Sequence, residues 1–181
     1  MARGMKIIAV VAIALTAIFA VFYSIKPLEI FLTLAITVGT VSYHFLMRLF
    51  VGGVFSALMK NKADYNKKWF RVGKKEQKLY VALRVKKWKK HLPTYDPSLF
   101  DKQKHSWEEI IGATCQAELV HETIAVLSFV PILTISVFGS PAVFVITSVL
   151  SALFDLSFAA LQRYNRPRIL KILKSDASKA T

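Results

Sequence analysis

The chain has 181 residues, of which 54% are apolar and 20% charged, and a formal net charge of +14. The apolar residues are gathered into long uncharged runs, which excludes a disordered chain and a coiled coil and argues against an ordinary soluble globule. A single cysteine excludes an internal disulfide framework and a multi-cysteine zinc site, and the basic balance implies nucleic acid or an anionic membrane as partner.

In chain order, Ile7 to Ile25 carries no charge and is about long enough to cross ~30 Å of hydrocarbon. It has no clear small-x-small exit near Ile25, so it reads as an anchor rather than a cleaved leader. Lys26 to Glu29 is a short polar break. Ile30 to Met47 is a second span, interrupted only by His44, and Val51 to Met59 reads as its interfacial continuation. Lys60 to Lys104 is dense in Lys and Arg. Apolar character returns at Thr123 to Phe138, after a more polar approach from Trp107. Gly139-Ser140-Pro141 is a turn signal, Ala142 to Leu161 is a fourth span broken by Asp155, and the tail from Arg163 is basic.

This predicts an all-α, multi-pass membrane protein with about four transmembrane helices. Residues 1–59 form an N-terminal helix pair, 60–109 a basic cytoplasmic or interfacial segment, and 110–181 a C-terminal pair with a basic tail, all within one integrated membrane domain. Four crossings put Met1–Lys6, Lys60–Lys104 and Arg163–Lys174 on one face, which the positive-inside rule makes the cytoplasm, so both termini are expected there. The partners follow: membrane lipids, with anionic headgroups favoured over nucleic acid because no nucleic-acid motif accompanies the charge.

Lys75 to Leu92 reads as an amphipathic helix lying in the headgroups. Leu79, Leu83 and Trp88 share a face beside Tyr80 and Val85, and Lys78, Lys86, Lys87, Lys89 and Lys90 cover the rest. Trp69 and Trp88 suit the interface, each having an apolar body with one donor, and the charges serve either topology and adhesion or a phosphate cradle for an anionic donor or lipid headgroup.

Ionisable residues in or near spans are costly and therefore paired or functional. Here they are His44, Arg48, Glu118, His121, Glu122 and Asp155. Asp155 lies roughly 12 Å inside the cytoplasmic edge at ~1.5 Å of rise per residue, and the other groups also fall in the cytoplasmic half. Glu118 and His121 are three apart, and Glu118 and Glu122 four apart, so all share a helix face. A carboxylate beside an imidazole can orient it as a general base; the plainer reading is a helix-entry cap or mutual satisfaction. Arg48 shares a face with His44 and reaches either lipid phosphates or substrate. Asp155 either pairs with an Arg or His of another helix or binds substrate. One Glu-x-x-His is too little for a di-iron site, and no metal is expected. Cys115 reads as an unreactive thiol.

Three blocks carry a resemblance. Asn66-Lys67-Lys68-Trp69-Phe70-Arg71-Val72 is followed by Val85-Lys86-Lys87-Trp88-Lys89 and Leu92-Pro93. Thr114 precedes Ala117-Glu118-Leu119-Val120-His121. Gln162-Arg163-Tyr164-Asn165-Arg166-Pro167-Arg168 follows the last span, with Leu170 and a basic helix after it. In order and spacing these resemble the glycosyl-4,4'-diaponeurosporenoate acyltransferase family of the staphyloxanthin pathway. The resemblance implies a bacterial multi-pass protein of the cell membrane that moves a fatty acyl group onto a sugar hydroxyl of a glycosylated, carotenoid-type lipid. The acyl donor, such as a thioester, is a co-substrate and no cofactor is needed.

Within that frame, His121 takes the acceptor proton and Glu118 holds its tautomer. Arg163, Arg166 and Arg168 bind phosphate or the donor's anionic part, Asn165 donates to the developing oxyanion, and Pro167 fixes a turn that aims these groups at the surface. His44, Arg48, Asp155 and Trp88 complete the substrate contacts. The rival expectation is a non-enzymatic membrane partner whose buried polar groups glue helices together and whose basic segment docks an anionic lipid or another membrane enzyme.

Overall fold

The computed structural model describes residues 2–88, 91–92 and 97–179. Lys89, Lys90 and Pro93 of the basic segment lie outside the described residues. Among those described, the regular structure is helical and no strand occurs. The elements are α1 (Ala2–Ile25), α2 (Glu29–Met59), α3 (Lys74–Ala82), α4 (Val85–Trp88), α5 (Trp107–Leu127), α6 (Ile135–Phe138) and α7 (Pro141–Lys179), with 3-10 turns at Lys68–Phe70, Pro97–Phe100 and Val130–Thr134. Four stretches are long and apolar enough to cross a membrane: Arg3–Ile25, Glu29–Met59, Trp107–Phe138 and Pro141–Asp176. The protein is therefore all-α and multi-pass, with the four expected crossings.

The contacts gather in two units. The first contains Met1–Gly53 and Thr123–Asp155, the second Val54–Glu122 and Leu156–Thr181.

In the first unit α1 and α2 approach closely because small residues meet. Ala9 and Ala12 are buried, and a Cβ at Gly39 would stand 3.3 Å from Thr16 Cγ2. Phe22 and Phe31 stack across the break, 5.5 Å between centroids. Most large side chains of α1 are exposed, as expected of a helix whose solvent is lipid. The third crossing is not one straight helix. α5 ends at Leu127 because Pro131 has no N–H to give the Leu127 carbonyl. Tyr43 of α2 supplies the missing donor, its hydroxyl lying 2.8 Å from that oxygen; in hydrocarbon an orphaned carbonyl has no water to turn to. The turn into α7 uses Gly139 and Ser140 at φ 67° and 53°, and Pro141 opens the helix where its absent N–H costs nothing.

In the second unit α2 runs unbroken to Met59, so the interfacial continuation belongs to the same helix. Lys60 and Asn61, both at positive φ, end it, and the Asn61 N–H donates to Gln116 Oε1 at 2.7 Å. α5 begins with a reciprocal cap: Ser106 Oγ accepts from the Glu109 N–H at 3.2 Å, and Glu109 Oε2 accepts from the Ser106 N–H at 2.9 Å. A small core of Ala63, Phe70 and Cys115, flanked by Met59, Tyr65 and Leu119, ties the 60–73 segment to α5.

Two expectations are corrected here. The Lys75–Leu92 helix is broken: α3 stops at Ala82, Arg84 takes φ 54°, and α4 restarts at Val85. Tyr80 and Val85 are both buried, yet five residues on a straight helix place them about 140° apart. The break lets both turn inward, and it leaves Leu79 and Leu83 exposed. Pro167, in turn, makes no turn; it lies inside α7, which continues to Lys179.

Gly112 of α5 faces the Asn61 carbonyl so closely that a Cβ would lie 2.9 Å from that oxygen. In an open helix Gly→Ala stabilises by roughly 0.5–1 kcal/mol. Here backbone must move, so Gly112→Ala should destabilise by about 1–3 kcal/mol. Thermal unfolding in detergent checks this; a raised midpoint would contradict the close approach.

Candidate functional site

Charged residues in the second unit are held at the junction of the 60–73 segment, α3, α5 and α7. Glu118 of α5 and Arg166 of α7 are both fully buried and form an ion pair. Arg163 Nη1 donates to Glu118 Oε1 at 2.5 Å. The same guanidinium makes a two-point contact with Glu76 of α3, through Nε and through Nη2 at 3.1 Å from Oε2. Two carboxylates thus face two guanidiniums, and the quartet is neutral. Buried charges persist only under that condition.

The arginines also fix the loop. Arg163 Nη1 donates to Trp69 O at 3.1 Å and Nη2 to Arg71 O at 3.4 Å. Arg166 Nη1 donates to Phe70 O at 3.1 Å and Nη2 to Thr114 O at 3.4 Å. Three successive carbonyls, those the 3-10 turn leaves open, are thereby satisfied by guanidinium forks. The Arg166 guanidinium also lies over the Phe70 ring, 5.1 Å from its centroid. Trp69 Nε1 donates to Glu122 Oε2 at 2.9 Å, adding a further tie to α5.

His121 follows Glu118 by three residues and is half-buried. Its ring stacks on Phe158 of α7 at 4.7 Å and 11°, which fixes the imidazole plane. The Glu118 carboxylate is engaged by Arg163 and Arg166. Asn165 is half-buried, and Trp88 is half-buried at the end of α4. Arg168 is exposed, its Nη2 donating to the Tyr164 hydroxyl at 2.8 Å and its guanidinium resting on the Tyr164 ring at 4.7 Å.

His44, Arg48 and Asp155 fall in the first unit. Arg48 Nε and Nη2 donate to Asp155 Oδ2 at 3.0 and 2.5 Å. Nη2 also donates to Ser151 Oγ at 2.8 Å and Nη1 to the His44 carbonyl at 3.1 Å. The Arg48 side chain is 14% exposed. Arg48 therefore spends its donors on a helix–helix ion pair rather than reaching for lipid phosphates, and Asp155 finds the arginine of another helix.

Glu76 was not expected in the site. Its signal is compositional: it is the only acid between Asp64 and Asp96 in a run dense in Lys and Arg, and an acid so placed has a choice of cations. Ser128, whose hydroxyl shares a hydrogen bond with Ser151 at 2.9 Å, was also missed, since serine in a span carries no periodic mark. Among the described residues no group of three or more His, Cys, Asp or Glu could hold a metal ion. Cys115 is buried in the apolar core.

The Arg163 hydrogen bond holds the Glu76 carboxyl below the usual carboxylate range, while burial, then the 2.7 Å bond to Glu76, pushes the Tyr80 phenol from 10.0 up to about 12. A raised value means that folding favours the neutral phenol. That contribution is complete below about pH 10 and is lost as pH rises through about 12. Ultraviolet titration should show a tyrosinate step near pH 12 that Tyr80→Phe lacks; ionisation of every tyrosine by pH 11 would contradict the placement.

A family model described as glycosyl-4,4'-diaponeurosporenoate acyltransferase matches residues 61–175, a stretch that contains the Glu76–Arg163–Glu118–Arg166 quartet and His121. No curated protein and no solved structure matches the chain. The match covers more than half of the sequence, and the chain belongs to the glycosyl-4,4'-diaponeurosporenoate acyltransferase family.

Proposed function

We propose that this protein transfers a fatty acyl group from an activated donor to a sugar hydroxyl of a glycosylated lipid at the cytoplasmic face of a bacterial cell membrane. The carotenoid-type glycoside is the acceptor that the family's description suggests. Four membrane-length helices support a lipid-borne substrate, and the family supports the reaction class.

The observation that carries the reading is the pairing of a neutral charge quartet, buried at Glu118 and Arg166, with an imidazole one turn along from Glu118 on the same helix. His121 is only half-buried and its plane is set by Phe158, as a general base needs to be. In the step proposed, the acceptor oxygen attacks the donor's acyl carbon while His121 takes its proton. A C–O bond forms, the bond to the donor's leaving group breaks, and the proton passes from His121 to that leaving group. Ester and protonated leaving group result.

The contacts support other roles for the surrounding residues. Glu118, engaged with two arginines, acts as a positioning residue that keeps α5, α7 and the 60–73 loop together. Arg163 and Arg166 belong to the same frame. Arg168, exposed above Tyr164, is the arginine best disposed to meet the anionic part of a donor, and guanidinium suits phosphate oxygens. Asn165, on the adjacent turn, is assigned to the developing oxyanion. Trp88 offers an apolar body to lipid or donor, and the Arg48–Asp155 pair supports the helices rather than substrate.

Purified protein supplied with a long-chain acyl thioester and glycosylated lipid should yield acylated product. His121→Ala should lower that rate by about 10²–10⁴-fold while leaving helical content and thermal midpoint unchanged. Turnover by a folded His121→Ala protein at the wild-type rate would remove His121 from the mechanism. Absence of product from every glycosylated acceptor would remove the reaction.

A further inference from the structure

The first unit holds a second set of polar side chains within its spans. Ser148, Ser151 and Asp155 follow one another on α7 at intervals of three and four, so they lie along one face. All three are buried, Ser148 completely. Ser151 and Asp155 are engaged by Arg48, and Ser151 also by Ser128. His44 lies one turn before Arg48 on α2. As second and fourth crossings, α2 and α7 run in the same direction. Arg48 meets Ser151 and Asp155, so the turn before it lies level with the turn before them, which puts His44 at the height of Ser148.

These two residues differ from their neighbours. His44 is 5% exposed and neither ring nitrogen has a hydrogen-bond partner; the hydroxyl oxygen of Ser148 has none either. Buried polar groups are almost always paired, and each that is not calls for an explanation. The charge nearby is already balanced, because Arg48 and Asp155 neutralise each other, so an ionic ligand would have no counter-ion here. An imidazole offers one donor and one acceptor and a serine hydroxyl offers both. The chemical group that answers both is another hydroxyl.

We propose that His44 and Ser148 form a binding site, inside the spans of the first unit, for the hydroxyl group of a neutral lipid, borne either by a sugar headgroup or by a simple alcohol. The site is defined by binding alone and does not rest on acyl transfer. It also lies partly outside the matched stretch, since His44 precedes residue 61.

The test uses the full chain in phosphatidylcholine nanodiscs with ¹⁵N-labelled histidine rings. The chain has four histidines, and His44→Phe identifies the His44 signal by its loss. Octyl glucoside serves as the sugar probe, octanol as the alcohol probe and decylphosphocholine as a probe without hydroxyl. The His44 nitrogens should shift saturably with at least one hydroxylated probe and not with decylphosphocholine, and the probe that acts names the source. Ser148→Ala should weaken that binding by roughly tenfold and leave the thermal midpoint unchanged, because the deleted hydroxyl has no protein partner. No saturable shift with either hydroxylated probe, an equal shift with decylphosphocholine, or undiminished binding by Ser148→Ala would overturn the proposal. If Ser148→Ala fails to insert, the wild-type titration of the His44 signal decides: a saturable shift with a hydroxylated probe supports the site, and its absence overturns it. If His44→Phe fails to insert, replacing His91, His105 and His121 in turn identifies the His44 signal by elimination.

Discussion

A carboxylate with no access to solvent must be answered by positive charge, and Glu118 is answered twice. Arg163 and Arg166 both reach it, and Arg163 is answered in turn by Glu76. The balance matters more than any single contact. Removing one member would strand a buried charge, at a cost of about 3–5 kcal/mol. The arrangement also consumes the open carbonyls of Trp69, Phe70 and Arg71. One neutral cluster therefore holds an irregular loop, a surface helix and two spanning helices in register, and His121 rides on one of those helices against a ring carried by another.

The spans themselves obey a related economy. Where Pro131 withholds a donor, Tyr43 provides one. Where Arg48 would be a lone cation among apolar side chains, Asp155 and Ser151 meet it. Hydrocarbon offers no water to cover such debts, so each irregularity in one helix is matched by a side chain from another. His44 and Ser148 are the conspicuous departures, which is why they suggest a ligand and the Arg48–Asp155 pair does not.

Much of this architecture is legible in the chain because charge and hydropathy separate so cleanly. The crossings follow from uncharged runs of membrane length, and the turn at Gly139–Pro141 from residues that tolerate its geometry. Local periodicity also put Glu118 and His121 on one face. It could not reveal that Glu118 answers arginines 45 and 48 positions away, because helix spacing reports neighbours along one helix and nothing about the next. The same limit hid Glu76, whose sequence neighbours suggest a solvated face. Tyr80 and Val85 misled for another reason: both are apolar and near each other in sequence, yet only a broken helix can bury both. Pro167 shows packing overriding local preference, since a helix continues through it with Arg163 and Arg166 anchored on the turn before.

The central claim is that Glu118 and Arg166 are one energetic unit on which the site is built. A double-mutant cycle of Glu118→Gln, Arg166→Met and the pair, followed by thermal unfolding in nanodiscs, tests it directly. The account expects each single change to destabilise strongly and the double variant to recover a coupling energy of about 2 kcal/mol or more. Additive losses, with no coupling between the two positions, would contradict it.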